Sequence, residues 1–200
     1  MVQTQITRRA AIELDDDFRG GLSRWTGSAG WASSWSFDGT GTAHCGKLAL
    51  FEPSLSLTDY RVEFMGQIEK LAIAWVFRAS DRNNYYATKL VVTGRGPVQG
   101  LSLLRYAVIK GHQRMKVQLP LPMLPGGKSM HRIRQEIRGT QFTTFLDGRL
   151  IDTWSDTSLA RGGVGFFSDS GEVAYLRWVT IADQDDTLGR ICAWLAPLLR

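Results

Sequence analysis

The sequence predicts an all-β fold, an antiparallel sandwich of two packed sheets followed by a short C-terminal helix. Three observations carry that expectation. Past Leu14 the chain breaks into roughly a dozen short runs rich in β-branched and aromatic residues, with turn residues about every 8 to 12 positions. Asp147-Gly148 separates two such runs by two residues, the spacing of a type I′ hairpin, whose central positions both need positive φ. Several runs alternate apolar and charged residues, which gives each strand one face for a core and one for water.

Residues up to Leu14 show no periodicity and read as a loose arm preceding a sandwich domain over 15–183. Trp31 to Phe37 places Trp31, Ser33, Trp35 and Phe37 on one strand face, and Lys47 to Phe51 is a second short run. In Tyr60 to Ile68, Val62, Phe64 and Ile68 turn inward while Arg61, Glu63, Met65 and Gln67 turn outward. Leu71 to Phe77, Tyr85 to Thr93, Leu101 to Val108 and Met115 to Leu119 follow. His131 to Arg138 sets Ile133 and Ile137 against Arg132, Arg134, Glu136 and Arg138. Gln141 to Leu146, Arg149 to Trp154, Gly163 to Phe167 and Glu172 to Ile181 complete the strands, and the short turns between them predict that consecutive strands pair as neighbours. After Asp183 the period lengthens: Leu188, Ile191, Leu195 and Leu198 form one stripe behind Asp185 and Asp186, an amphipathic helix over 184–200. That stripe would pack on its own sandwich, or serve self-association or a protein partner.

Composition narrows the class. With 200 residues, 44% hydrophobic, the chain buries a real core and is not disordered. The longest apolar stretch, Leu71 to Phe77, is about a third of a membrane span, and Arg8-Arg9 leads into acidic rather than apolar residues, so no export signal is read. The chain therefore reads as cytoplasmic by default, or as part of a longer protein. Cys45 and Cys192 are two thiols, too few for a disulfide scaffold or a structural zinc site.

Asp16-Asp17-Phe18 with Gly21-Leu22-Ser23-Arg24-Trp25 resembles the opening of concanavalin A-like lectin/glucanase domains. So do Trp75-Val76-Phe77-Arg78-Ala79-Ser80-Asp81 with Asn84-Tyr85-Tyr86, and His131-Arg132-Ile133-Arg134 leading to Phe145-Leu146-Asp147-Gly148-Arg149. With the closing Gly162-Gly163-Val164-Gly165-Phe166, the order is similar to the laminin-G-like and 3-keto-disaccharide hydrolase-like branches, over most of 16–182. The resemblance implies a jelly roll whose concave sheet is the usual carbohydrate surface. It leaves activity open, because that superfamily mixes hydrolases with binding and adhesion modules.

Catalytic signatures are sparse. The Glu-x-Asp-x-x-Glu strand of laminarinase-type glucanases is missing, and Glu63 and Glu69 would stand about 20 Å apart on a straight strand, too far for a retaining pair. His44, His112 and His131 lack metal-ligand spacing, and no Gly-x-Ser-x-Gly elbow occurs. Gly94 to Gly100 fails as a dinucleotide fingerprint and reads as a hairpin loop. The resemblance raises one metal, a calcium ion where the first and last strands meet, with Asp17 and Asp183 as candidate ligands.

Recognition through aromatic side chains is better supported, since sugar rings pack their C–H faces on Trp and Tyr. Tyr85 and Tyr86 are adjacent on a strand, so one must face out, and Tyr86 is the expected one. Glu63, Gln67, Arg78, Lys89, Arg105 and His131 are its candidate neighbours on the concave sheet. The surplus of 24 Lys and Arg over 19 Asp and Glu includes Arg132, Arg134 and Arg138 on one strand face, which would attract an acidic polysaccharide or nucleic acid. Without aromatics interleaved on the same face, nucleic acid is disfavoured. The sequence thus points first to a non-catalytic module recognising a glycan or other extended ligand. A glycoside hydrolase of the 3-keto-disaccharide type and a protein-interaction module remain alternatives.

Overall fold

The computed structural model describes residues 13–38, 40–94, 100–121 and 129–183. Alternation drives these residues into strands of which the longest have 11 residues. In chain order they are β1 (Glu13–Asp16), β2 (Trp25–Gly27), β3 (Ser36–Phe37), β4 (Ala43–His44), β5 (Ala49–Phe51), β6 (Tyr60–Lys70), β7 (Ala72–Asp81) and β8 (Asn84–Thr93). Then come β9 (Gly100–Ile109), β10 (His112–Leu121), β11 (Met130–Arg138), β12 (Gln141–Leu146), β13 (Arg149–Ser155), β14 (Gly163–Phe167) and β15 (Val173–Asp183).

Two antiparallel sheets result. The eight-stranded sheet runs β13-β12-β11-β6-β15-β4-β3 with β1 also on β15, and the seven-stranded sheet runs β10-β9-β8-β7-β14-β5-β2. Neighbour pairing of consecutive strands holds for β7 to β10 and for β11 to β13. It fails at β1 to β2, β2 to β3, β4 to β5, β5 to β6, β6 to β7, β10 to β11, β13 to β14 and β14 to β15, where the chain crosses between sheets. The crossing after β6 is a single residue, Leu71, at φ 67°. Asp147 and Gly148 hold φ of 49° and 80°, as the hairpin reading requires.

Between the sheets lies a continuous core that includes Phe64, Trp75, Phe77, Tyr86, Phe142 and Phe166. Burying each side chain of this size contributes about 1.5–3 kcal/mol. The sheets approach so closely at Gly66 that a Cβ there would stand 2.4 Å from Ile73 Cδ1. At one end Tyr60 ties the sheets together, its hydroxyl accepting from Arg78 N at 2.8 Å and donating to Gly163 O at 3.1 Å.

Two local expectations are corrected. Trp31 to Phe37 is mostly not a strand: Ala32–Ser34 is a 3₁₀ turn, and only Ser36 and Phe37 extend. Ser33 and Ser34 hydroxyls bond back to the carbonyls of Gly30 and Trp31, which closes the turn in place of a ladder. Strand β1 begins at Glu13, inside the expected loose arm, because Glu13 and Leu14 pair with Ala182 and Ile181. The amphipathic stretch over 184–200 lies outside the described residues, as does Cys192, while Cys45 is free and buried. Among the described residues no helix is long and apolar enough to cross a membrane.

Candidate functional site

The fold disperses the candidate residues. Tyr86 faces inward, not outward, because β8 turns Tyr86, Thr88 and Leu90 toward the core and Tyr85, Ala87 and Lys89 away from it. Its ring packs on Phe77, Phe142 and Trp154. Its hydroxyl donates to Asp156 Oδ1 and accepts from Leu159 N. Burial, then the Asp156 carboxylate, pushes this phenol well above its ordinary range.

Arg78 and Arg105 are interior as well. Arg78 donates through Nη2 to Asp59 Oδ1 at 3.1 Å and to Gly139 O at 2.7 Å, pinning β7 to the β11–β12 turn. Arg105 shares the inward side of β9 with Leu103 and Ala107, lies 4.7 Å from the Trp154 ring centroid and pairs with Asp152 at 3.0 Å. Neither belongs to an outer ligand face.

Lys89 lies on the outer face of the seven-stranded sheet. This face carries a second apolar cluster of Leu50, Ala74, Val76, Ala79, Ala87, Tyr106, Val108 and Phe167, with Tyr85 and Leu104 packed against it. Lys89 is buried there, bonded to Asp169 and, at 2.8 Å, to Glu172. Burial raises the phenols of Tyr85 and Tyr106, and the nearby Asp169 charge adds to both. The face is closed by its own side chains, since Ala74, Val76 and Ala87 have no exposed surface.

Glu63 and Gln67 come together on the outer face of the eight-stranded sheet. Cross-strand register sets Phe145, Arg134, Glu63 and Thr180 in one row, and Arg132, Met65 and Trp178 in the next. Gln67, Tyr175 and His44 form the row beyond, with the His44 and Tyr175 rings 4.2 Å apart. His131 stands at the start of β11, its Nδ1 2.7 Å from Asp147 Oδ2 and its Nε2 3.1 Å from Ser129 Oγ.

Trp178 reaches this face through a register break. Ala174 and Leu176 point into the core, so strict alternation would send Trp178 inward too. The ladder to β6 shifts between Leu176 and Trp178, and Val179 and Ile181 become the inward residues. Sequence reading missed Trp178, Tyr175 and Phe145. For Trp178 the signal was present as a phase slip, from inward even positions before Arg177 to inward odd positions after it.

On the same face lies a cleft of about 430 Å³ lined by Glu63, Arg132, Arg134, Phe145, Asp147 and Gly148. Glu63 pairs with Arg132 Nε, and Asp147 Oδ1 accepts from Arg132 N at 2.9 Å. The Arg134 guanidinium stacks on Phe145, its central carbon 3.9 Å from the ring centroid. Rigid rings beside fixed donors and acceptors suit a flat, hydroxyl-rich ligand.

For calcium, Asp17 pairs with Arg19 at 3.7 Å, and Asp16 is occupied by Phe18 N and Trp25 Nε1 at 2.7 and 2.8 Å. The Asp183 side chain is outside the described residues, among which no group of three or more His, Cys, Asp or Glu is arranged to hold an ion.

No protein-family model matches this chain, and no curated protein sequence does. Solved structures are similar over most of it. Carbohydrate-binding module CBM66 from Bacillus subtilis is 18% identical, with a TM-score of 0.55 over 82% of this chain and 94% of that one. The Bacillus licheniformis beta-glucanase is 10% identical, with a TM-score of 0.58 over 84% and 97%. The laminarinase catalytic domain from Thermotoga maritima MSB8 is 9% identical, with a TM-score of 0.58 over 86% and 98%. The fold is therefore a concanavalin A-like jelly-roll sandwich, the architecture of these carbohydrate-binding and glucanase domains.

Proposed function

We propose that this chain is a carbohydrate-recognition domain that binds glycans on the outer face of the eight-stranded sheet, without hydrolysing them. The outward Trp178 carries the reading, because it supplies a stacking platform beside Arg132, Glu63 and Gln67. Likeness to a carbohydrate-binding module and to glucanases supports the ligand class. On the resemblance of its sequence motifs we assign the chain to the laminin-G-like or 3-keto-disaccharide hydrolase-like branch of the superfamily.

Binding is favoured over hydrolysis by the state of the carboxylates. Glycoside hydrolysis needs one carboxyl holding a proton and a second ionised across the same bond. In this cleft Glu63 is committed to Arg132, and Asp147 to His131 and the Arg132 amide, so neither carboxyl is free to work across a glycosidic bond.

A glycan array run beside a reducing-sugar release assay tests this. We expect binding without release, and Trp178→Ala should weaken it about tenfold, the loss of one stacking contact of about 1–2 kcal/mol, at little change in melting temperature. Equal affinity in Trp178→Ala removes this face, and release of reducing ends makes the domain a hydrolase.

A further inference from the structure

Ser129, His131 and Asp147 stand in line where β11 begins. Ser129 Oγ lies 3.1 Å from His131 Nε2, and His131 Nδ1 lies 2.7 Å from Asp147 Oδ2. The fold sets each of the three. Ser129 and His131 are two residues apart at the start of β11, so their side chains leave the same face of the chain. Asp147 opens the turn after β12, and the Ile133 to Leu146 pairing brings that turn back beside β11. There its N–H donates to Arg132 O at 2.8 Å and its Oδ1 accepts from Arg132 N at 2.9 Å, which leaves Oδ2 aimed at the imidazole.

A carboxylate oxygen at Nδ1 holds the ring proton on that nitrogen, so Nε2 is the acceptor that faces the Ser129 hydroxyl. Nucleophile, base and orienting acid are thus each within hydrogen-bond reach of the next. The hairpin does not need this chain of contacts, because the two Arg132–Asp147 bonds already hold the turn to β11. What the Ser129–His131 contact adds is a hydroxyl whose proton has somewhere to go. Such a triad is defined by geometry and roles rather than by sequence position, and so occurs without a Gly-x-Ser-x-Gly elbow. Ser129 is half-buried and the His131 side chain 18% exposed, so both can be reached from solvent.

The structure assigns Ser129, His131 and Asp147 to a hydrolytic triad that acts on carboxylic esters. Ser129 Oγ bonds to the acyl carbon as its proton passes to His131 Nε2. The bond from that carbon to the alcohol oxygen breaks, and the departing alcohol takes the proton from Nε2. Water then gives a proton to Nε2 while its oxygen bonds to the acyl carbon, and the acyl–Oγ bond breaks as Oγ regains that proton. Ester and water have become carboxylic acid and alcohol, with no other reactant. Asp147 is a positioning residue that keeps the imidazole in the one tautomer this sequence needs. An ester is not a glycosidic bond, so this activity and glycan recognition stand independently.

Hydrolysis of p-nitrophenyl acetate, with fluorophosphonate labelling of the same full-length protein, tests the assignment. We expect the label on Ser129, located by peptide mass spectrometry, and none in a folded His131→Asn. Ser129→Ala and His131→Asn should each lower kcat about a hundredfold or more, and the double variant no further, because the two act as a unit. Asp147→Asn suits the same turn and should lower kcat with KM unchanged, whereas a purely structural role would lower the melting temperature and spare kcat. Labelling of unmodified protein does not depend on any variant folding. Hydrolysis by the parent no faster than by Ser129→Ala, a label on another residue, or a Ser129 label that survives in folded His131→Asn each overturns the triad. None of these readouts involves a glycan, so glycan recognition is judged separately.

Discussion

Trp178 stands opposite Met65 across the β15–β6 ladder on the outer face, although Leu176, two residues earlier, is fully buried in the core. Arg177 is the extra residue that makes both possible. Removing it leaves Leu176 inward, Trp178 outward and Val179 inward in plain alternation, so the Arg177 deletion should fold and melt cooperatively. Deleting Thr180 instead forces Ile181 off the core side, a one-residue slip costing about 2–4 kcal/mol for that side chain alone. Urea unfolding of the two deletions compares them. A collapse of the Arg177 deletion equal to that of the Thr180 deletion would contradict this reading of β15.

Tyr86 holds a structural hydroxyl. Its bonds to Asp156 and Leu159 anchor the segment after β13 to β8. Tyr86→Phe leaves the Leu159 N–H and an Asp156 carboxylate oxygen without this partner, and should cost about 1–2 kcal/mol. Glycan affinity should not change. A weakened ligand with intact stability would return Tyr86 to the binding surface.

Lys89 is a buried cation whose two carboxylate partners come from the loop between β14 and β15. Its ammonium also lies 4.9 Å from the Phe167 ring centroid. Lys89→Ala strands Glu172, only 14% exposed, beside Asp169 without its counter-charge, and should cost about 3 kcal/mol, within the range for breaking a buried pair. The triple variant Lys89→Met, Asp169→Asn, Glu172→Gln should recover most of that loss. Equal melting temperatures for Lys89→Ala and the parent protein would show that the cluster contributes nothing.

The extent of this fold that is legible in sequence follows from where local chemistry decides. Strands β12 and β14 have the predicted bounds, because Gly139, Asp147-Gly148 and Gly162 punctuate them and their interiors alternate or are wholly apolar. Strands β2 and β4 were not read, being three and two residues long and held by pairing to distant partners rather than by their own pattern. The site was less legible still. Tyr85 and Tyr86 are chemically alike, and the phase of β8 turns Tyr86 into the core, where its hydroxyl meets Asp156 and Leu159. Arg78 and Arg105 look solvent-bound by composition, yet Asp59, Gly139 and Asp152 receive them in the interior. Glu63 and Gln67 were placed correctly because plain alternation governs β6 over those positions.

Asp152 and Arg105 give the domain a pH dependence whose sign can be worked out. Burial raises the Asp152 carboxyl above its ordinary 3.8, and the Arg105 charge, 3.0 Å away, pulls it partly back. A folded-state pKa above the unfolded one means that the folded form binds the proton more tightly. Stability from this group is therefore full below the ordinary value and is lost as pH rises from there through the raised folded value. Arg105→Gln removes the pull downward, so the folded Asp152 pKa should climb further and the loss should extend to higher pH. The variant should then be less stable than the parent at pH 7, with the gap narrowing as pH falls toward 4. Urea unfolding across pH 4 to 8, with carbon-13 titration of the Asp152 carboxyl, measures both sides of this linkage. A gap that stays constant with pH, or an Asp152 pKa that falls when Arg105 is removed, would show that the ion pair does not govern this carboxyl.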